Sequence, residues 1–335
     1  MKKVLFIFTL LFFTFFSTFC QLSYRIDSFH VSGEGGWDYV ALNNGKVYAS
    51  HGSQVNIISE ANGDSIGALL GTAGVHGVAF YNEENKIYTS NGRLNNVFVF
   101  NGKTFQKIKE IPTGQNPDAI FFEPYSKKII TCNGRSNSLS IIDPQKDEVI
   151  STIELEGNPE TAVSDGQGKV FVNIENKSEM AVIDIKSKKL LSYWPIAPGE
   201  SAAGLAIDKK SHRLFAGCEN QLLIVMNCDN GKIISTLPIG KGSDGVVFDE
   251  KKGLIFSSNG EGTVTVIKEA ANDNYKVLQS IKTTPSARTI AVDQNTHELF
   301  LPAAKVETEP AVAGQRPRRK IVPGSFKILK ITLDR

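Results

Sequence analysis

Seven short apolar strands in the chain are entered through Asp38, His76, Asp118, Glu160, Ala203, Asp244 and Arg288, and six of these seven residues are ionisable. Brought to one opening, four carboxylates, an imidazole and a guanidinium could grip a small polar ligand or coordinate a cation. A His/Asp pair among them could act as a general base. A second set stands shortly after each strand: His51, Asn91 with Arg93, Asn133 with Arg135, and Asn259, with Asn173, Glu175, Glu219, Asn220 and Glu261 at related places. Two like charges roughly 6 Å apart repel by about 3 kcal/mol at an effective dielectric near 20, so such carboxylates need counter-ions or protons. Arg93, Arg135 and Arg288 are expected to supply them around a small polar ligand, and a permanent metal is not expected. Each Asp or Asn also has a turn explanation, because its side chain bonds nearby backbone. Their recurrence at equivalent positions does not, since Ser, Asn or Gly would serve a purely structural ring.

The elements that position these residues repeat. SNGRLNNVFVF at 90–100 returns as CNGRSNSLSII at 132–142 and SNGEGTVTVIK at 258–268, and the leading Asn residues are separated by 42 and by 126, three times 42. The opening strands DYVAL, HGVAF, DAIFF, ETAVS, AGLAI, DGVVF and RTIAV follow one another at spacings of 38, 42, 42, 43, 41 and 44. Each unit then offers a polar turn, a second strand such as IYTSNG, an alternating third such as NVFVF and a fourth such as IISTLPIG. Alternation marks half-buried strands, and no helical period follows residue 20. Four antiparallel strands per unit of about 40–45 residues, repeated radially, predict an all-β fold, a seven-bladed β-propeller. The last unit lacks a fourth strand, while LSYRIDSFHV at 22–31 lacks a unit. The N-terminal strand is therefore expected to complete the last blade and close the ring. In the Asn-Gly turns the Gly is expected to serve positive φ in a tight hairpin.

Residues 1–20, MKKVLFIFTLLFFTFFSTFC, have the charged start, apolar run and small-residue end of a secretory signal peptide. The expected product is exported, periplasmic or extracellular, monomeric and without a membrane span after cleavage, leaving residues 21–335 as the propeller. Loss of Lys2 and Lys3 lowers the 37 basic side chains to 35, equal to the 35 acidic ones. Such neutrality does not favour a nucleic-acid partner. The local exception is RPRRK at 316–320, within a long segment, 305–324, expected to form a lid or a docking arm. Cys132, Cys218 and Cys228 are too few and too irregularly spaced for a disulfide framework or a sequence-local zinc motif. They read as small buried hydrophobes.

These residues resemble the YVTN-repeat β-propellers, and more closely their YncE-like secreted group. IYTSNG at 87–92 matches the second-strand signature best, VYASHG at 47 and IITCNG at 129 are looser copies, and LPIG at 237–240 is similar to the family's fourth-strand ending. The resemblance implies an exported seven-bladed propeller; some relatives of that architecture are quinoprotein dehydrogenases, heme reductases or lactonases. No CxxCH is present and the only tryptophans are Trp37 and Trp194, so the sequence names no cofactor.

The functional expectation is a binding module whose channel mouth takes a small polar or anionic ligand or a protein partner. Its ligand-binding residues would be Asp38, His51, His76, Asn91, Arg93, Asp118, Asn133, Arg135, Glu160, Asp244, Asn259 and Arg288, with Trp37 as a stacking wall. The alternatives are a metal-assisted hydrolase or lactonase using the carboxylate ring with His76, and nucleic-acid binding through the basic segment. His212 and His297 fall on connections of the opposite face.

Overall fold

Runs of Val, Ile, Phe and Tyr punctuated every six or seven residues by Gly, Asn and Asp have one way to bury both faces of a sheet, which is to stack sheet against sheet. The computed structural model, which describes residues 22–271, 273–308 and 319–333, shows seven four-stranded antiparallel sheets. The first blade is Trp37–Asn43, Lys46–His51, Gln54–Ser59 and Ser65–Leu70, and the inner strands of the next five are Val75–Tyr81, Pro117–Glu123, Pro159–Ser164, Ala202–Asp208 and Ser243–Asp249. The seventh runs Ala291–Val292, Leu299–Ala303, Lys327–Leu333 and Tyr24–His30. Its outermost strand is the N-terminal one, in unbroken register from Tyr24 opposite Leu333 to His30 opposite Lys327. The ring is thus closed by two chain ends that hold each other. On the inner side the Thr289 hydroxyl donates to the Asp38 carbonyl at 2.6 Å, tying the seventh blade to the first.

Two expectations change. The alternating third strands are not half-buried: Val97, Phe98, Val99 and Phe100 are all sealed, because each blade lies between two neighbours and both faces meet apolar side chains. Outer strands such as Lys107–Pro112 are largely exposed. The Asn-Gly turns also differ. Asn91 pairs with Asn96, so four residues form the loop, and positive φ falls on Asn95 and Asn137 rather than on the Gly. Gly92 is needed for close approach instead: a Cβ there would lie 2.6 Å from His76 Nε2 and 2.7 Å from Asn116 Oδ1. In the fourth blade a short 3-10 turn, Glu175–Lys177, takes the place of the Asn-Gly phrase.

The long segment of the last blade begins and ends as a two-stranded ribbon, Val306–Thr308 against Arg319–Ile321. Its tip, with Arg316 and Arg318, lies outside the described residues, as does the expected signal peptide. Among the described residues no helix is long and apolar enough to cross a membrane.

Candidate functional site at the channel mouth

In each of the first six blades the inner strand slips register against its neighbour at its first residues: Trp37/Val40, Val75/Val78, Pro117/Ile120, Pro159/Ala162, Ala202/Leu205 and Ser243/Gly245. Asp38, His76, Asp118, Glu160, Ala203 and Asp244 all lie inside these irregularities. A bulge breaks the in-out alternation of a strand and re-aims a side chain, here toward the axis. The second strand props the bulge. Ser50 Oγ accepts from Asp38 N at 3.0 Å, and Ser90 Oγ accepts from Gly77 N at 2.9 Å while donating to the Asp118 carbonyl of the next blade. Ser258 Oγ likewise donates to the Gly245 and Arg288 carbonyls, and Asn173 Nδ2 to those of Ala203 and Gly204. The small polar residue before Asn-Gly is therefore a bracket between adjacent ring positions.

Six of the twelve candidates, Asp38, His76, Asp118, Glu160, Asp244 and Arg288, meet around the ring. His76 Nδ1 stands 2.6 Å from Asp38 Oδ2 and 3.6 Å from Asp118 Oδ2. Arg288 spans the other side, 3.2 Å from Asp244 Oδ2 and 3.8 Å from Asp38 Oδ1. Glu160 makes no side-chain hydrogen bond or ion pair among the described residues, and Asp118 Oδ1 is buried without a partner. Beneath the ring the Tyr39 hydroxyl reaches across the bore to Thr161 Oγ1 at 3.1 Å, linking the first blade to the fourth. Below that lies a cavity of about 360 Å³ lined by Val40, Val78, Ala119, Ile120, Leu205 and Ile290. Above the ring the mouth opens into a cleft of about 720 Å³, bordered by Trp37, Glu175, Glu219, Asp244, Arg288, Val306 and Ile321.

Four candidates go elsewhere, and two more take a different part. His51 is sealed in the first blade, its ring centroid 4.0 Å from that of Phe326 and its Nδ1 3.3 Å from Asn56 Oδ1. Burial lowers its pKa against that hydrogen bond, and it does not meet His76. Asn91, Asn133 and Asn259 are fully buried and clamp second strand to third: Asn91 Nδ2 donates to Asn96 Oδ1, Asn133 Nδ2 to Ser138 and Ser140, Asn259 Nδ2 to Thr263 and Thr265. A side chain at the end of a strand buried on both faces points into the neighbouring blade, so these four do not line the mouth. Arg93 and Arg135 sit exposed on the turns and form no ion pair among the described residues. Arg288 is the ring's single guanidinium. Trp37 does border the mouth, tilted against Phe326 with centroids 5.9 Å apart, and its buried Nε1 has no partner.

The arithmetic of charge is thus more acidic than expected: four carboxylates face one imidazole and one guanidinium. Burial, reinforced by Asp118, Glu175, Asp244 and Asp38, pushes Glu160 up to about 9. Burial raises Asp118 to about 7, with His76 pulling the other way, and raises Asp244 to about 6 against the pull of Arg288. For His76 burial opposes the charge, but the Asp38 bond and the nearby Asp118 outweigh it and the pKa rises. Glu175, outside the ring, is raised by burial and by Glu219. The mouth therefore retains protons at neutral pH that a cation would displace.

Residues 66–299 match the family described as YNCE-like beta-propeller. No curated protein matches the chain. Among solved structures it is similar to hydrazine synthase of Kuenenia stuttgartiensis, at 15% identity and a TM-score of 0.72, over 81% of this chain and 94% of that one. At that identity the likeness shows the fold.

Proposed function

The chain belongs to the YNCE-like beta-propeller family, and on that premise we propose that it is an exported binding module whose channel mouth receives a small ligand through a positively charged group. The observation that carries this reading is Glu160, a mouth carboxyl with no counter-ion whose ionisation is held back by its surroundings. An arriving ammonium or guanidinium replaces the retained proton. An anionic ligand is disfavoured because the one ring guanidinium, Arg288, already faces Asp244 and Asp38. Tyr39 and Thr161 cross the bore, so the ligand rests at the ring rather than passing through. The apolar run at residues 4–16 supports the exported part of the reading.

The test is calorimetry with tetramethylammonium, whose charge does not titrate, and with succinate, each at pH 6 and pH 8.5. Tetramethylammonium is expected to bind more tightly at the higher pH and to release protons, measured as a dependence of the heat on buffer ionisation enthalpy. Preferential succinate binding at pH 6 would overturn the reading.

One observation favours a second reading. The donor atoms of Asp38, His76 and Asp118 all lie within 4.8 Å of one another, a spacing that a divalent cation could bridge for metal-assisted hydrolysis. That reading predicts lactone or ester turnover that is lost on chelation and restored by metal.

A further inference from the structure

On the opposite face, in the fifth blade, two turns meet. His212 lies in the turn between the strands Ala202–Asp208 and Arg213–Cys218, and Cys228 and Asp229 open the turn after Leu222–Asn227. The backbone joins them by a bond from Cys228 N to the His212 carbonyl at 3.0 Å. Equivalent bonds join Glu60 to Gly45, Gly102 to Asn85 and Ile185 to Gly168, so the backbone frame is common to the blades. The side chains placed on it are not: among these four blades only the fifth puts a thiol, an imidazole and a following carboxylate on that frame.

His212 Nδ1 lies 3.0 and 3.1 Å from the two Asp229 oxygens, and one donor atom from each of His212, Cys228 and Asp229 falls within a 4.8 Å cluster. Zinc–ligand lengths of about 2.0–2.3 Å put the donors of a tetrahedral site roughly 3.3–3.8 Å apart, so small side-chain adjustments suffice. The three residues border a cleft of about 180 Å³, room for an ion and a water, and Asp165 lines the same cleft. We propose that His212, Cys228 and Asp229 form a zinc site, with water or Asp165 in the fourth position.

Zinc binding forms a Zn–S bond and breaks the S–H bond of Cys228, the proton leaving to solvent. The ion must displace it, because burial together with Asp229 and Asp165 raises that thiol to about 11. Lys169 and Lys209 also border the cleft, and the Asp229 and Asp165 carboxylates together with the zinc-bound sulfur of Cys228 would offset them. Cys132 and Cys218 are fully buried within the blades and supply no competing thiolate at the surface.

The experiment is equilibrium dialysis of the chelator-stripped full chain against Zn²⁺, paired with Co²⁺ substitution read by thiolate-to-metal charge-transfer absorption. One bound equivalent and a charge-transfer band are expected. His212→Ala and Asp229→Asn each weaken zinc by about tenfold or more, and Cys228→Ser removes the band. His212 and Asp229 are partly solvent-exposed, so their variants keep the test alive if the buried Cys228→Ser chain does not fold. His76→Gln leaves the zinc stoichiometry unchanged. No saturable zinc, zinc that persists undiminished in His212→Ala and Asp229→Asn, or zinc lost in His76→Gln overturns the proposal. The last result would assign the ion to the mouth.

Discussion

The two ends of the channel axis treat buried carboxylates in opposite ways. On the face away from the mouth, Glu123 is completely buried and accepts four hydrogen bonds, from Tyr125 N, Ser126 N, Ser126 Oγ and Ser164 Oγ of the next blade, at 2.6 to 3.1 Å. Asp147 takes the Lys86 ammonium at 2.9 Å and the Tyr88 hydroxyl at 2.6 Å, and Asp249 takes two backbone N–H groups and His297 Nδ1. Around the mouth, half-buried Glu160 makes no side-chain hydrogen bond or ion pair among the described residues, and Asp118 keeps one oxygen unpaired. Glu60 is the exception on the far face, raised to about 7 by burial and by Asp293 and Glu298 with Lys330 pulling the other way. A saturated carboxylate adds rigidity and has nothing left to offer a ligand, whereas an unsaturated one costs stability and keeps its valence open. The contrast separates structural acids from the acids we assign to binding.

The largest effect is expected from breaking a saturated site. Glu123→Ala strands two serine hydroxyls and two N–H groups between blades and should cost about 3 kcal/mol, read as a fall in the urea midpoint with an unchanged m-value. An equally stable variant would mean the network is not what joins those blades. The next effect has the opposite sign. Folding raises the pKa of Glu160, so the native state binds more protons than the unfolded one between the ordinary carboxyl value and about 9, and stability declines as pH rises through that window. Glu160→Gln, which mimics the protonated acid, should stabilise the protein by about 1–3 kcal/mol at pH 8 and by nothing at pH 4. It should also weaken tetramethylammonium binding. Destabilisation at pH 8 would place Glu160 among the structural acids and erase the contrast.

The sequence carried the wheel, its closure and the identity of the ring because all three depend on spacing. A period of 38 to 44 residues fixes which strand lies innermost, and the residue entering that strand must approach the axis whatever its side chain. Orientation at strand ends was harder to read. His51, Asn91, Asn133 and Asn259 stand one strand further out, where a single step of alternation decides between mouth and interior, and the packing of the neighbouring blade takes them inward. The bulges were invisible for the same reason, since an extra residue in one strand shows only when its partner is known. The Ser before His-Gly or Asn-Gly recurs in three units, as Ser50, Ser90 and Ser258, but its bracing role depends on a backbone group twelve or more residues away that the local phrase does not name. The cluster of His212, Cys228 and Asp229 has no compact motif because its members come from two turns.

Arginine provides the finest division between the regions. Arg288 is about half exposed and touches Asp244 and Asp38, so Arg288→Gln should cost only about 1 kcal/mol at pH 8. The cost should shrink toward pH 5, because Asp244, held near 6 by burial with Arg288 opposing, rises further without it and takes up a proton. Arg93→Gln and Arg135→Gln should each stay within about 0.5 kcal/mol at either pH, since both side chains lie in solvent with no ion pair among the described residues. Chemical denaturation of the three variants at the two pH values makes the check. If Arg93→Gln reproduced the pH-dependent loss of Arg288→Gln, the rim arginines would be counter-ions of the ring after all. The mouth would then be closer to neutral, and the case for a cationic ligand would lose its electrostatic basis.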